Sequence, residues 1–317
     1  MLKGDSQMER GRTDRPSRNG PRHIGPYQLI TRLDPAGPGH PLAPERRFVA
    51  RSADGARTVL VSAPLDGIDP GRFLVEALAA RDAFALPWVL PVTEVSTAAD
   101  ASWYATPYLP LLPLPVALAV HGGPLPEHSV RALGVALADS LAGAHAAGVT
   151  HAGVSPAAVL LAWDGPRLTC FGAVRAAAPD GERRSGRPGL EPGSLAPEMA
   201  AGGRPKPPGD IYGLGAVLAY AATGHTVPDR SELPDSLRSL VPRCLARDAA
   251  ARPTAYEVRT VLAPASAAPT PTVLDSPASP MPQGWLPGRV IAALARQSAQ
   301  LLSAEIPAPH TDTSPRT

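Results

Sequence analysis

Between residues 24 and 262 short apolar runs alternate with turn signals, and the period of the runs changes part-way along. Up to about residue 109 they are short, β-prone and broken by glycine or proline: YQLITRL (27–33), RRFVARS (46–52), RTVLVSAP (57–64), VLPVTEVS (89–96) and SWYATPYL (102–109). These segments are predicted strands, and Asp54–Gly55 between the second and third marks a hairpin. One predicted helix, PGRFLVEALAARDAF (70–84), interrupts them. Beyond residue 110 the period becomes helical. In LPEHSVRALGVALADSLAGAHAAG (125–148) Val130, Leu133, Leu137 and Leu141 share a face, Pro126 suits a first turn and Gly148 a stop. Further helices are predicted at 210–224, 233–248 and 255–263. The pattern is that of an α+β fold, with a small β-rich part (about 24–109) and a larger helical part (about 110–262).

The flanks read differently. Residues 1–23 are polar and Arg-rich with no hydrophobic period, a disordered basic leader. Residues 263–283 are rich in Pro, Ala, Ser and Thr and read as an extended linker. The stretch GWLPGRVIAALARQSAQLLSAE (284–305) recovers an amphipathic helical pattern, with Val290, Ile291, Leu294, Leu301 and Leu302 on the expected apolar face. A helix of this length is marginal alone in water, so its stripe calls for a surface, either the main domain or a partner. Residues 306–317 read as a disordered tail.

Composition narrows the class. A net charge of +2 over 317 residues argues against a nucleic-acid-binding surface. Cys170 and Cys244 lie far apart without metal-type spacing, which fits a reducing compartment and no metal site. No run reaches the roughly 18 apolar residues of a membrane span; YLPLLPLPVALAV (108–120) is cut by three prolines, and residues 1–26 lack the apolar core of a signal peptide. The expectation is a cytoplasmic protein. Among 30 basic residues only Lys3 and Lys206 are lysines, a usage that suggests GC-rich coding.

One loop then carries the chemistry. HAGVSPAAVLL (151–161) keeps the outline of a catalytic loop of the type H-R-D-L-x-x-x-N, but Ala152, Gly153 and Ala158 stand in the Arg, Asp and Asn slots. Other landmarks follow in order: the hairpin WDGPRL, CFG (170–172) in a DFG slot, APE (196–198), Asp210 in GDIYGLGAVL and Arg252 in CLARDAAARPTA. Over residues 24–262 the chain resembles the eukaryotic-type Ser/Thr protein kinases of bacteria, as a degraded member. The resemblance implies a two-lobed kinase-like fold. It makes His151 and Phe171 packing members of an internal spine, Asp210 the group that holds the catalytic-loop backbone, and Glu198–Arg252 a buried structural pair.

The same resemblance places the losses. Ser62 stands where the family has its sheet lysine, so Glu76 of the following helix is expected to lose its ion-pair partner. Gly153 replaces the catalytic base. Cys170 and Ala158 replace the metal-binding Asp and Asn, and a thiol is a poor ligand for Mg²⁺. In LDPAGPGHP (33–41) Gly39 keeps a glycine slot, but Asp34 would repel a triphosphate and the prolines remove amide donors. Arg46 and Arg47 are expected to be only remote substitutes for the lysine.

The reading is therefore a pseudokinase, a binding or scaffolding module in phosphosignalling. It would have no resident cofactor and a protein partner such as an active kinase or its substrate. Two alternatives stay open. One is a weak or unconventional ATP-dependent Ser/Thr kinase; the other is a metal-independent nucleotide sensor taking ATP without Mg²⁺ at a hinge of Thr106, Pro107, Tyr108 and Leu109.

Overall fold

A computed structural model describes residues 23–34, 43–83, 86–97, 101–263 and 281–303. The predicted leader up to residue 22, most of the linker, the tail and Gly39 lie outside the described residues, while His23, the last residue of the predicted leader, pairs with Gln28 at the sheet edge.

Six strands form one antiparallel sheet in the order β1-β2-β3-β4-β6-β5: β1 (His23–Ile24), β2 (Tyr27–Arg32), β3 (Glu45–Ser52), β4 (Thr58–Pro64), β5 (Glu94–Val95) and β6 (Tyr104–Pro107). The β3–β4 hairpin turns at Asp54, whose carboxylate accepts the Ala56 amide at 3.0 Å. Helix α1 (Pro70–Ala83) leans on this sheet through Phe73, which stacks on Tyr104 with ring centroids 5.5 Å apart.

The second lobe is helical around α3 (Glu127–Ala146) and α6 (Pro207–Thr223), whose Leu133, Leu137, Leu141, Leu214, Val217 and Leu218 share one core. Ahead of them, β7 (Leu112–Pro113) joins β8 (Val159–Ala162) and β9 (Gly165–Leu168) in a small antiparallel sheet. The remaining helices are α2 (Leu114–His121), α4 (Ala173–Ala177), α5 (Pro197–Ala200), α7 (Leu240–Cys244), α8 (Ala255–Leu262) and α9 (Gly288–Leu302). Helix α8 starts with a capping box between Thr254 and Glu257. It packs so close to α3 that a Cβ at Gly134 would lie 2.5 Å from a Leu262 methyl, so any larger residue there would have to push that side chain aside.

Several expectations change. The predicted strand at 89–96 pairs in the large sheet only at Glu94–Val95; its first residues turn instead to the small sheet, where the Leu90 amide donates to the Leu168 carbonyl at 3.0 Å. The predicted helix at 233–248 is helical only over Leu240–Cys244. Pro242 explains this, because its ring clashes with a helical carbonyl four residues back and so must sit in a first turn. Helix α2 arises inside the proline-cut apolar run: Pro115 lies in its first turn, where no amide is needed, and Gly122 ends it at φ +92°.

Helix α9 lies on the main domain. Val290 and Leu294 join the core that holds Leu114 and Leu118 of α2, and the Trp285 indole donates to the Trp163 carbonyl at 2.9 Å. Its buried face is Val290, Ala293, Leu294 and Leu301, whereas Ile291 and Leu302 are 40% and 83% exposed. The expected stripe is thus rotated, because a polar residue, Gln297, occupies the inner face. Among the described residues no helix is long and apolar enough to cross a membrane.

Candidate nucleotide cleft

The cleft floor is held by Asp210 in the first turn of α6. Its two carboxylate oxygens accept the backbone amides of His151 and Ala152, each at 2.8 Å, and His145 Nε2 lies 2.9 Å from one of them. Ala152 is thereby kept at φ +53°, a left-handed conformation an alanine rarely adopts. The His151 ring meets Phe171 edge-on, with centroids 5.5 Å apart, and neither ring nitrogen has a hydrogen-bond partner among the described residues. Burial pushes this imidazole down to about 4, so it packs as a neutral ring at physiological pH.

Gly153, in the base slot, has no room for a side chain. A Cβ there would lie 2.0 Å from the Cys170 carbonyl oxygen. Cys170 itself sits at φ +62°, and burial pushes its thiol well above the usual range, so it stays protonated. Ala158 is fully buried beside it, in the short turn before β8.

Ser62 lies buried on β4, and the position opposite it on β3 is Arg47. Cross-strand neighbours of this kind share a face. The Arg47 guanidinium is 0% exposed. It grips the Asp34 carboxylate with Nε (3.0 Å) and Nη2, donates from Nη1 to Thr169 Oγ1 (3.2 Å), and from Nη2 to the Ala157 carbonyl (2.8 Å). Thr169 precedes Cys170, and Ala157 precedes Ala158. One cation thus ties the start of the glycine-rich segment to both halves of the floor. Burial works against its charge, but Asp34 together with the other acidic groups around it more than offsets this and raises the guanidinium further. The expectation that Arg46 and Arg47 are remote fails for Arg47. Strand alternation turns it inward, while Arg46 points out to Asp66 at 3.5 Å.

A second buried carboxylate, Glu45, accepts the Tyr104 hydroxyl at 2.6 Å. Burial pushes the Glu45 carboxyl above the usual range. Glu76 on α1 also departs from expectation: Arg175 donates from Nε to Glu76 Oε2 at 2.8 Å, its Nη2 lies 2.8 Å from the same oxygen, and the guanidinium lies over the Phe171 ring. The ion-pair partner comes from just after CFG instead of from the sheet. Gly172 makes this possible, since a Cβ there would fall 2.1 Å from the same carboxylate oxygen.

At the hinge, Thr106 is buried and its hydroxyl faces the Leu60 carbonyl at 3.5 Å, while Pro107 is exposed. Tyr108 and Leu109 pack against a cluster of Leu33, Val49, Leu60, Leu111 and Leu160. Behind Thr106, between Ser62, His151 and Cys170, a cavity of about 30 Å³ remains, room for a water molecule or two.

Farther off, Arg252 meets Glu198 through two bonds of 2.7 and 2.8 Å and also donates to the carbonyls of Ala246 and Pro208. Burial alone would raise the Glu198 carboxyl, but the guanidinium holds it below the usual range. Between CFG and APE the chain is pinned by Arg184, fully buried, which donates to the carbonyls of Ala178 (3.1 Å) and Gly203 (2.7 Å) and to Asp180 (2.8 Å).

A curled sheet with one leaning helix, a hinge and a helical lobe carrying this cleft find a match among solved structures. The kinase domain of Mycobacterium tuberculosis PknI superposes with a TM-score of 0.55 and 20% identity, covering 76% of this chain and 96% of that one. The chain has the protein-kinase fold. Its sequence relatives are bacterial Ser/Thr protein kinases. The probable serine/threonine-protein kinase PkwA of Thermomonospora curvata is 34% identical over 260 residues, 75% of this chain and 34% of that protein. The serine/threonine-protein kinase AfsK of Streptomyces coelicolor is 31% identical over 273 residues, 79% of this chain and 33% of that protein. The chain thus spans about a third of the length of these curated relatives. No family model matches it.

The kinase fold implies Mg²⁺-ATP, and the residues present do not fit that group. Gly153, Ala158 and Cys170 bring no oxygen ligand to the floor. Of the nearby carboxylates, Asp34 is held by Arg47 and Glu45 is buried against Tyr104. Reading from the sequence missed Arg47, although the signal was there: a hairpin centred on Asp54–Gly55 sets residue 47 opposite residue 62.

Proposed function

We propose that this kinase-fold chain is a pseudokinase, a cytoplasmic binding or scaffolding module of phosphosignalling that does not transfer phosphate. The observation that carries the reading is the buried Arg47–Asp34 pair. In a kinase fold catalysis is mainly electrostatic, with a free cation and metal ions neutralising charge on the transferred phosphoryl. Here the cation set opposite Ser62 is already neutralised by a carboxylate of the same chain, which would repel a phosphate brought to it. The absence of a side chain at Gly153 removes the base as well. Its neighbour's carbonyl fills the space.

The remaining role for such a domain is recognition of a protein, an active kinase or a kinase substrate being the class that the relatives' names suggest. A weak Ser/Thr kinase is the competing reading, since those relatives are named as kinases. Incubation of the full chain with Mg²⁺-ATP and a generic protein acceptor, followed by intact-mass spectrometry, separates the two. The expected result is no added phosphate on either protein. Phosphate on the acceptor that disappears with Asp34→Lys, which would turn the glycine-rich segment from a partner of Arg47 into its repeller, would overturn the pseudokinase reading.

A further inference from the structure

The inner face of α9 is apolar for two turns and then changes character. Gln297 faces the chain just beyond the hinge and makes three hydrogen bonds there. Its Oε1 accepts the Leu111 amide and the Tyr108 hydroxyl, each at 3.0 Å, and its Nε2 donates to the Leu111 carbonyl at 2.9 Å. One side-chain amide thus reads both backbone groups of a single residue. A turn later Leu301 is buried with Leu33, Val49, Leu60, Leu111 and Leu160, residues drawn from both lobes. Arg51 of β3 fixes the end of the helix by donating to the Leu301 carbonyl at 3.0 Å. An outer helix needs none of this to cover α2, which Val290 and Leu294 already do.

We propose that the last two turns of α9 are an internal occupant of the hinge pocket, closing it to flat heteroaromatic ligands until the helix end is drawn off. The chemistry of the pocket supports such an exchange. Its walls are aliphatic, its rim offers a paired backbone donor and acceptor at Leu111, and Gln297 satisfies that pair as one edge of a base would. The first two turns of α9 stay anchored on α2, so the end can leave without the helix being lost. The inference rests on the chain's having a kinase-type hinge but not on its failing to transfer phosphate.

The test uses the full chain, no metal, and adenosine as probe, a base without phosphates for Asp34 to repel. In the double variant Gln297→Ala, Leu301→Asp, hydrogen exchange at 296–302 and at the Leu111 amide should quicken at least tenfold, with 288–294 as protected as before. Adenosine should then slow exchange at the hinge of the variant and leave the parent unchanged, while Leu301→Met should behave as the parent. Unchanged exchange at 296–302 in the double variant, adenosine protection as strong in the parent as in the variant, or a released helix end with no adenosine protection would each overturn the proposal. Phosphate transfer from Mg²⁺-ATP by the double variant but not by the parent would overturn the pseudokinase reading and leave this one standing, whereas transfer by the parent would overturn both.

Discussion

Arg47 and Asp34 have meaning only together, because each alone would be an uncompensated charge in a dry cleft. Asp34→Ala is expected to destabilise the domain by about 3–5 kcal/mol in urea unfolding, since it strands the guanidinium. Adding Arg47→Met should recover most of that loss, an apolar replacement of a buried pair being close to neutral. Equal and additive losses from the two changes would mean that the pair does not exist. Two titrating groups give opposite pH signatures. His151 is held near 4 in the fold against about 6.5 unfolded, so the fold favours its neutral form. Its contribution is present above pH 6.5 and fades as pH falls towards 4, a loss of about 3 kcal/mol that His151→Leu should abolish. Glu45 is raised by burial, so its contribution is present at acid pH and lost as pH rises. Glu45→Gln should therefore raise the melting temperature at pH 8, with the advantage shrinking towards pH 4. A gain that grows on acidification would contradict the assignment.

At the scale of elements, what was legible in the sequence is what local pattern encodes. Tyr27–Arg32, Glu45–Ser52, α1, α3 and α8 follow from period and caps, and Asp210 and Arg252 from their spacing to landmarks. Less was legible where a side chain's partner depends on how two distant segments meet. Nothing in the run around Glu76 points to Arg175; only the turn of Gly172 brings them together. Gln297 breaks the apolar stripe of α9, so a reading by hydrophobicity turned Ile291 inward in its place. The Glu198–Arg252 pair joins the APE turn to the loop before α8, and Arg252 also holds three carbonyls. The pair is buried only on the Arg252 side, since the Glu198 side chain is 36% exposed. Arg252→Ala should therefore cost about 1–3 kcal/mol by urea unfolding, mostly from carbonyls left without a donor, and a variant as stable as the parent would sink the structural role assigned to it. Gly153→Asp tests the closed floor. With the Cys170 carbonyl 2.0 Å from where its Cβ must go, it should lower stability by about 1–3 kcal/mol and restore no phosphate transfer.

For the whole molecule the account turns on a cleft that the chain fills for itself, with Arg47 bridging sheet and floor and the end of α9 lying against the hinge. The two-lobed fold was legible in the order of landmarks, whereas this filling was not, since it needs residues 34, 47, 157, 169 and 301 in one space. The most direct test is a thermal-shift titration of the full chain with ATP to millimolar concentration, with and without Mg²⁺. A working Mg²⁺-ATP site held at about 100 times its Kd would add about 2.7 kcal/mol, or roughly 5–10 °C in a domain of this size. The account predicts no Mg²⁺-dependent change in melting temperature. A Mg²⁺-dependent rise of several degrees would contradict it.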